Sequence, residues 1–197
     1  MDDMDVDALC GLLLAARQLK QVPRTGWAMR GVPNGESVAD HSFGVAFLAL
    51  VLSEMIALPV DRARVVAIAL IHDLPEGVTG DLPTPAMVHF PPDAKHTAEL
   101  AVLKTLLNGF PWAEQWQTWW QEFEFGSTVE GRLVRDADRL DMLLQAYVYE
   151  QTLGNRLLDE FWPQPDDGPF EFPISRRIYE ALMNRRAAQC RGCLLYT

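Results

Sequence analysis

A chain of 197 residues, 49% of them hydrophobic and 22% charged, holds enough apolar material for one sizeable core and enough charge for a soluble surface. Its formal net charge of −10 opposes a nucleic-acid backbone or an anionic membrane as the main partner. A small anion received by local cations or a metal remains compatible with that charge. The opening Met1-Asp2-Asp3-Met4-Asp5 is acidic, unlike a signal segment, and the longest apolar run, near residues 45–52, falls short of the ~20 residues that span a bilayer. A cytoplasmic location is expected.

Residues 5–20 place Val6, Leu9, Cys10, Leu13 and Leu14 at helical spacing, which predicts a first amphipathic helix. Pro23 and Gly26 interrupt the pattern in a connection that carries Arg24, Trp27 and Arg30. Ser37, followed three residues later by Asp40, has the form of a capping box and predicts a helix running to about residue 58. Phe43, Val45, Phe47, Leu48, Leu50, Val51 and Leu52 make that helix apolar nearly all round, hence central, with His41 in its first turns. Asp61 is placed to cap the next helix. Its run Val65-Val66-Ala67-Ile68-Ala69-Leu70-Ile71 leads directly into His72-Asp73-Leu74-Pro75-Glu76.

That junction is the most informative stretch. A carboxylate buried at the end of an apolar run, without a partner, costs roughly several kcal/mol. A divalent metal would neutralise it. Glu76 and Asp81 add further carboxylates, and the Gly- and Pro-rich residues 77–92 predict a rigid loop beside the site.

Asp93 is placed to cap a helix reaching about residue 108. Trp112, Trp116, Trp119, Trp120 and Phe123 then recur at helical spacing, which favours packing or a subunit interface over base stacking. Ser127-Thr128-Val129-Glu130 opens a long helix closed by Gly154, with a buried stripe of Leu133, Ala137, Leu140, Leu144 and Tyr147. Asp136, Asp138 and Asp141 occupy its remaining surface. Asp138 and Asp141 both adjoin the apolar stripe, and spacing does not choose between them. Residues 163–173 form a proline-rich connector and residues 174–188 a last helix. Cys190 and Cys193 form one Cys-x-x-Cys without a second pair, too little for a metal framework. No useful β alternation occurs, so the predicted fold is all-α.

His41, His72-Asp73 and an acidic residue of the long helix lie on three predicted helices. Two imidazoles and two carboxylates suit Mn, Fe, Co, Ni or Zn if the helices converge.

The sequence resembles the HD-domain metal-dependent phosphohydrolases, and more specifically their 5′-deoxynucleotidase branch. The matching pieces are Leu19-Lys20-Gln21-Val22-Pro23-Arg24-Thr25-Gly26-Trp27, Glu36-Ser37-Val38-Ala39-Asp40-His41-Ser42, His72-Asp73-x-x-Glu76, Gly80-Asp81-Leu82-Pro83-Thr84 and the region of Asp138. They span about residues 8–155 of a single HD domain, with a C-terminal helical extension over about 156–197. The resemblance implies an all-α HD-domain bundle with a primary metal bound by His41, His72, Asp73 and Asp138. It implies Glu76 as acid or base near the attacking water, with a possible second Mg or Mn near Glu76 and Asp81. Arg24, with Arg30 as a second candidate, would orient the phosphate and make the site locally positive. Trp27, Asp81, Leu82, Pro83 and Thr84 would line the nucleoside pocket, with Arg24 and Asp81 also counted in the catalytic set. The implied reaction removes the 5′-phosphate from (2′-deoxy)nucleoside 5′-monophosphates, and the implied assembly is a homodimer, the tryptophan stripe being one contact. The rivals are an HD phosphohydrolase for di- or triphosphates or nucleotide analogues, a di-iron oxygenase, and a non-catalytic nucleotide sensor.

Overall fold

Three helices cross at the centre of the molecule: α3 (Val38–Met55), α4 (Arg62–Ile71) and α9 (Val129–Leu153), with α3 packed extensively on both others. The computed structural model describes residues 5–154, 157–162 and 170–193, leaving aside the side chains of 84 and 189–193, so the Cys190 and Cys193 pair lies outside the described residues. Around the central helices stand α1 (Val6–Gln18), α2 (Thr25–Met29), α5 (Glu76–Thr79), α6 (Thr84–Met87), α7 (Ala94–Leu106), α8 (Ala113–Phe125) and α10 (Pro173–Cys193). Among the described residues the only β pairing is an isolated bridge between Pro23 and Ser37. The all-α expectation holds.

The helix starts follow from side-chain caps. The Asp5 carboxylate accepts from the main chain of Asp7 and Ala8, and Asp61 accepts from Arg64. Ser37 and Asp40 form a reciprocal capping box that aims the first turn of α3. Thr128 caps α9 through Gly131, and Gly154 ends it in the left-handed region at φ 62°. Asp93 corrects the expectation for α7: it sits at φ 61° with no side-chain cap. Two connections expected to be irregular contain short helices, α2 in the first and α5 and α6 in the Gly- and Pro-rich loop. Pro75 precedes α5, where its missing N–H interrupts no helical bond, so the chain turns there without losing Glu76 from the site.

Two cores meet at the His72-Asp73 junction. One joins Val45, Ala49 and Leu52 of α3, Val65 and Ile68 of α4, and Leu133, Ala137 and Leu140 of α9. The other joins Leu12 and Leu19, Ile71 and Leu74, Leu103 and Leu107, and Trp120. The tryptophan stripe packs at this seam: Trp120 is fully buried, and Trp112, Trp116 and Trp119 pack against the same core. The expected packing role of the stripe is met within this chain.

The helix α3 is half of what its sequence suggested. Val45, Ala49 and Leu52 are fully buried, whereas Phe43 and Phe47 are 72% and 61% exposed. By length and composition this helix could cross a membrane, but 44% of it is buried in the bundle, and His41 and Ser42 are buried with it.

Candidate metal centre and substrate cavity

The end of α4 delivers His72 and Asp73 to one point. His72 is 2% exposed; its Nδ1–H donates to the Ala69 carbonyl at 2.7 Å, while its own carbonyl accepts from Trp120 Nε1 at 2.9 Å. His41, one turn into α3, donates from Nδ1 to Asp141 Oδ2 at 2.8 Å. Both bonds fix the tautomer that leaves Nε2 as the free lone pair. A Cβ at position 44 would collide with the Asp141 carboxylate, so Gly44 is what lets α9 approach α3 closely enough for this bond.

Donor atoms converge beyond the two rings. Asp73 Oδ2 lies 3.2 Å from His72 Nε2 and 3.8 Å from His41 Nε2, and Asp138 Oδ1 lies 3.0 Å from His41 Nε2. Ligand atoms of His41, His72 and Asp73 all fall within 4.8 Å of one another. Both Nε2 atoms are buried without a hydrogen-bond partner. A lone pair facing a carboxylate at 3 Å is repulsive unless a proton or a cation lies between. Burial and Arg24 both oppose charge on His41, yet Asp138 and Asp141 outweigh them and push it up to about 10. A divalent cation satisfies the same carboxylates and both rings at once, so these residues fit one.

The structure also separates Asp138 from Asp141, which spacing had left open. Asp138 faces the free nitrogen of His41 and Asp141 the bonded one. Asp136, expected on the helix surface, is instead 3% exposed and accepts from the main-chain N–H groups of Glu171 and Phe172.

Next to this cluster a cavity of about 440 Å³ is bordered by Arg24, Trp27, Arg30, Asp81, Leu82, Pro83 and Lys95, with Met142 and Phe161 opposite. Arg24 Nη1 lies 3.3 Å from Asp81 Oδ1, 3.5 Å from Asp73 Oδ2 and 3.9 Å from Glu76 Oε2. Asp81 also accepts from Thr25 N at 2.5 Å, so both its oxygens are engaged. Trp27 is 2% exposed, donates to Glu36 Oε1 at 2.9 Å and packs against Tyr149 and Phe161, which makes it chiefly a support for α2. Arg30 pairs with Glu160 and lies over the Phe161 ring. Thr84 opens α6, and its side chain lies outside the described residues.

Glu76 is 1% exposed, with Oε1 held by Lys95 Nζ at 3.1 Å and Oε2 without a hydrogen-bond partner. Burial raises its pKa to about 8, Asp73 and Asp81 adding to the effect and Lys95 and Arg24 resisting it. Lys95 in turn lies 3.4 Å from Glu99 Oε1. In sequence, Lys95 and Glu99 had the spacing of an ordinary surface pair on a helix. The burial of Glu99 was the missing information.

One electrostatic expectation is corrected. Arg24 and Lys95 stand against Asp73, Glu76, Asp81, Asp138 and Glu99, so the side chains alone do not make the site positive. His96, which a di-iron reading would recruit, instead contacts Trp120, Phe125 and Glu124.

Residues 16–161 match the HD domain family. The chain belongs to that family. It is 36% identical to the mouse (Mus musculus) 5′-deoxynucleotidase HDDC2, over 87% of this chain and 84% of that protein. It is 31% identical to the zebrafish (Danio rerio) 5′-deoxynucleotidase HDDC2, over 92% and 90%. Among solved structures, a conserved hypothetical protein of Pyrococcus furiosus superposes with a TM-score of 0.78 at 39% identity, covering 89% of this chain and 99% of that one. Membership in the HD domain family implies a divalent metal, and the donor cluster described above suits it.

Proposed function

We propose that this HD-domain protein is a phosphohydrolase that removes the 5′-phosphate from (2′-deoxy)nucleoside 5′-monophosphates, giving nucleoside and phosphate. The observation that carries the reading is the juxtaposition of two buried, unpartnered imidazole Nε2 atoms with the buried Glu76, which contacts Arg24 and Lys95 at the edge of one cavity. The 5′-deoxynucleotidase activity named for the mouse and zebrafish relatives supports it.

His41, His72, Asp73 and Asp138 would hold the divalent ion. When bound, such an ion polarises a phosphoryl oxygen and acidifies water, and it supplies the positive charge that the side chains lack. Arg24 orients the phosphate through its planar fork. Glu76, held by Lys95 through one oxygen, uses the other to take a proton from the attacking water and return it to the departing 5′-oxygen. Leu82 and Pro83, with Met142 and Phe161, form an apolar wall suited to the nucleoside. Co, Mn, Fe, Zn and Ni all match the mixed nitrogen and oxygen donors. A second Mg or Mn near Glu76 and Asp81 would have to displace Arg24 from Asp81.

The test is phosphate release from a panel of ribo- and deoxyribonucleoside monophosphates by metal-stripped protein reloaded with each ion, beside Glu76→Gln. Release by the reloaded wild type and its loss in Glu76→Gln support the assignment. Stoichiometric metal with no turnover of any monophosphate refutes it in favour of the di- and triphosphate or sensor readings.

The homodimer is proposed through α3 rather than through the tryptophans. Phe43, Phe47, Val51 and Met55 present a contiguous apolar face to solvent. Sedimentation of Phe47→Glu should show monomer where wild type shows dimer; a monomeric wild type ends this part of the proposal.

A further inference from the structure

A second cavity, of about 430 Å³, opens on a different face of α9 from the one bearing Asp138 and Asp141, beside the end of α8 and the start of α10. Arg132, Arg135 and Arg139 of α9 line it together with Arg176 of α10. Among the described residues, the carboxylates that line it are Asp136 and Glu171, and both are already committed. Asp136 accepts from Glu171 N at 3.0 Å and Phe172 N at 2.9 Å, and Glu171 Oε1 accepts from Arg132 Nε at 2.5 Å.

Two of the arginines spend hydrogen bonds only on neutral acceptors. Arg135 Nη1 donates to the Glu124 carbonyl at 3.2 Å, and Arg176 Nε donates to the Phe170 carbonyl at 2.7 Å. Neither forms an ion pair among the described residues. Each guanidinium carries five N–H donors, so most of this capacity is unspent. Arg135 and Arg176 thus bring two further like charges into a cavity whose carboxylates are engaged, and they repel one another unless an anion joins them. In a chain of net charge −10, such a cluster is a local reversal of sign rather than a sample of the surface.

The chemistry indicates the occupant. Guanidinium forks match phosphate oxygens in pairs, and several forks suit a chain of phosphates better than a single carboxylate. Phe125, 64% exposed, stands at the cavity beside the arginines, where an aromatic face can stack on a base. The volume falls in the range of small-molecule sites. We propose that this cavity binds the polyphosphate of a nucleotide, at a site separate from the Arg24 cavity.

Calorimetric titration of the full chain, loaded with metal, tests this. The probes are a non-hydrolysable deoxynucleoside triphosphate analogue and inorganic tripolyphosphate, on wild type, Arg24→Gln and the double variant Arg135→Gln/Arg176→Gln. Saturable binding that survives Arg24→Gln and weakens at least about tenfold in the double variant is expected. Comparable binding of tripolyphosphate assigns the affinity to the phosphate chain alone. A nucleotide advantage that disappears in Phe125→Ala adds the base. Because Arg135 and Arg176 also tie main-chain carbonyls, circular dichroism accompanies each variant. Arg135→Lys/Arg176→Lys, which keeps the charge and loses the forks, should fold and bind with intermediate affinity. Absence of saturable binding at about millimolar ligand overturns the proposal. So does binding abolished by Arg24→Gln and untouched by the double variant.

Discussion

The floor of the site and the wall above it are built by different physics. The floor (His41, His72, Asp73, Asp138) stands on three central helices, at the seam of two apolar cores, with each ring pinned by one hydrogen bond from Nδ1. The wall (Arg24, Asp81, Lys95) is joined by charged contacts between segments far apart in sequence, and no helix longer than α7 sets its shape. Packing places the floor to within a rotamer, so it suits a metal that tolerates little misplacement. Electrostatics places the wall, which can rearrange when a charged substrate displaces one of its partners.

The largest expected effect breaks the floor. His72→Ala removes a buried donor, and phosphate release should fall by roughly a thousandfold, with loss of stoichiometric metal by elemental analysis. A variant that retains both metal and rate would show that the cluster is only structural. Against the wall, Arg24→Gln should leave metal content intact while kcat/KM for monophosphates falls about a hundredfold. If metal is lost as well, floor and wall are one unit and the contrast fails.

A finer cut lies beneath the floor. Asp141→Asn keeps the shape around His41 and loses the charge that orients its ring. Metal affinity should drop about 10- to 100-fold, measured by competition with a chelator. The fold should persist, since Gly44 still admits the side chain at that position.

The smallest expected effect concerns the layer behind Lys95. Burial raises Glu99 to about 7 from an ordinary 4.5, with the Lys95 ammonium resisting the shift. A folded-state pKa above the unfolded one favours folding in the protonated form. That contribution is complete below about pH 4.5 and is lost as pH rises through about 7. Glu99→Gln holds the neutral form throughout, so its Tm should decline less between pH 5 and 8 than that of wild type. An equal decline would place the wall's pH sensitivity elsewhere.

The floor was legible in the sequence because its residues break a pattern. His72-Asp73 ends a run with no polar side chain, and His41 follows a capping signature that the structure reproduces. Spacing alone did not choose Asp138 over Asp141, since both adjoin the same stripe of α9; the family resemblance named Asp138, and its placement opposite His41 Nε2 supplies the physical reason. The wall was legible only where a motif covered it. Lys95 lies on a helix with weak amphipathic character and pairs with Glu76 from another segment, a contact that local periodicity does not encode. The apolar α3 misled in the opposite sense: composition said buried, but Phe43 and Phe47 on one face are exposed. Trp120 shows the converse case. Its helical spacing predicted packing, and the structure adds that its indole holds the carbonyl of His72.

The Glu76–Lys95 bond joins two residues 19 positions apart. The intervening segment, including Asp81, Leu82 and Pro83, is thus anchored at both ends and borders the substrate cavity in its middle. Loop-closure cost grows only slowly with length. Insertions, deletions or wholesale exchange of residues between the two anchors can therefore reshape what the cavity accepts while the metal donors stay in register. The segment behaves as an exchangeable cassette, and directed evolution aimed at new nucleotide substrates has its natural target there.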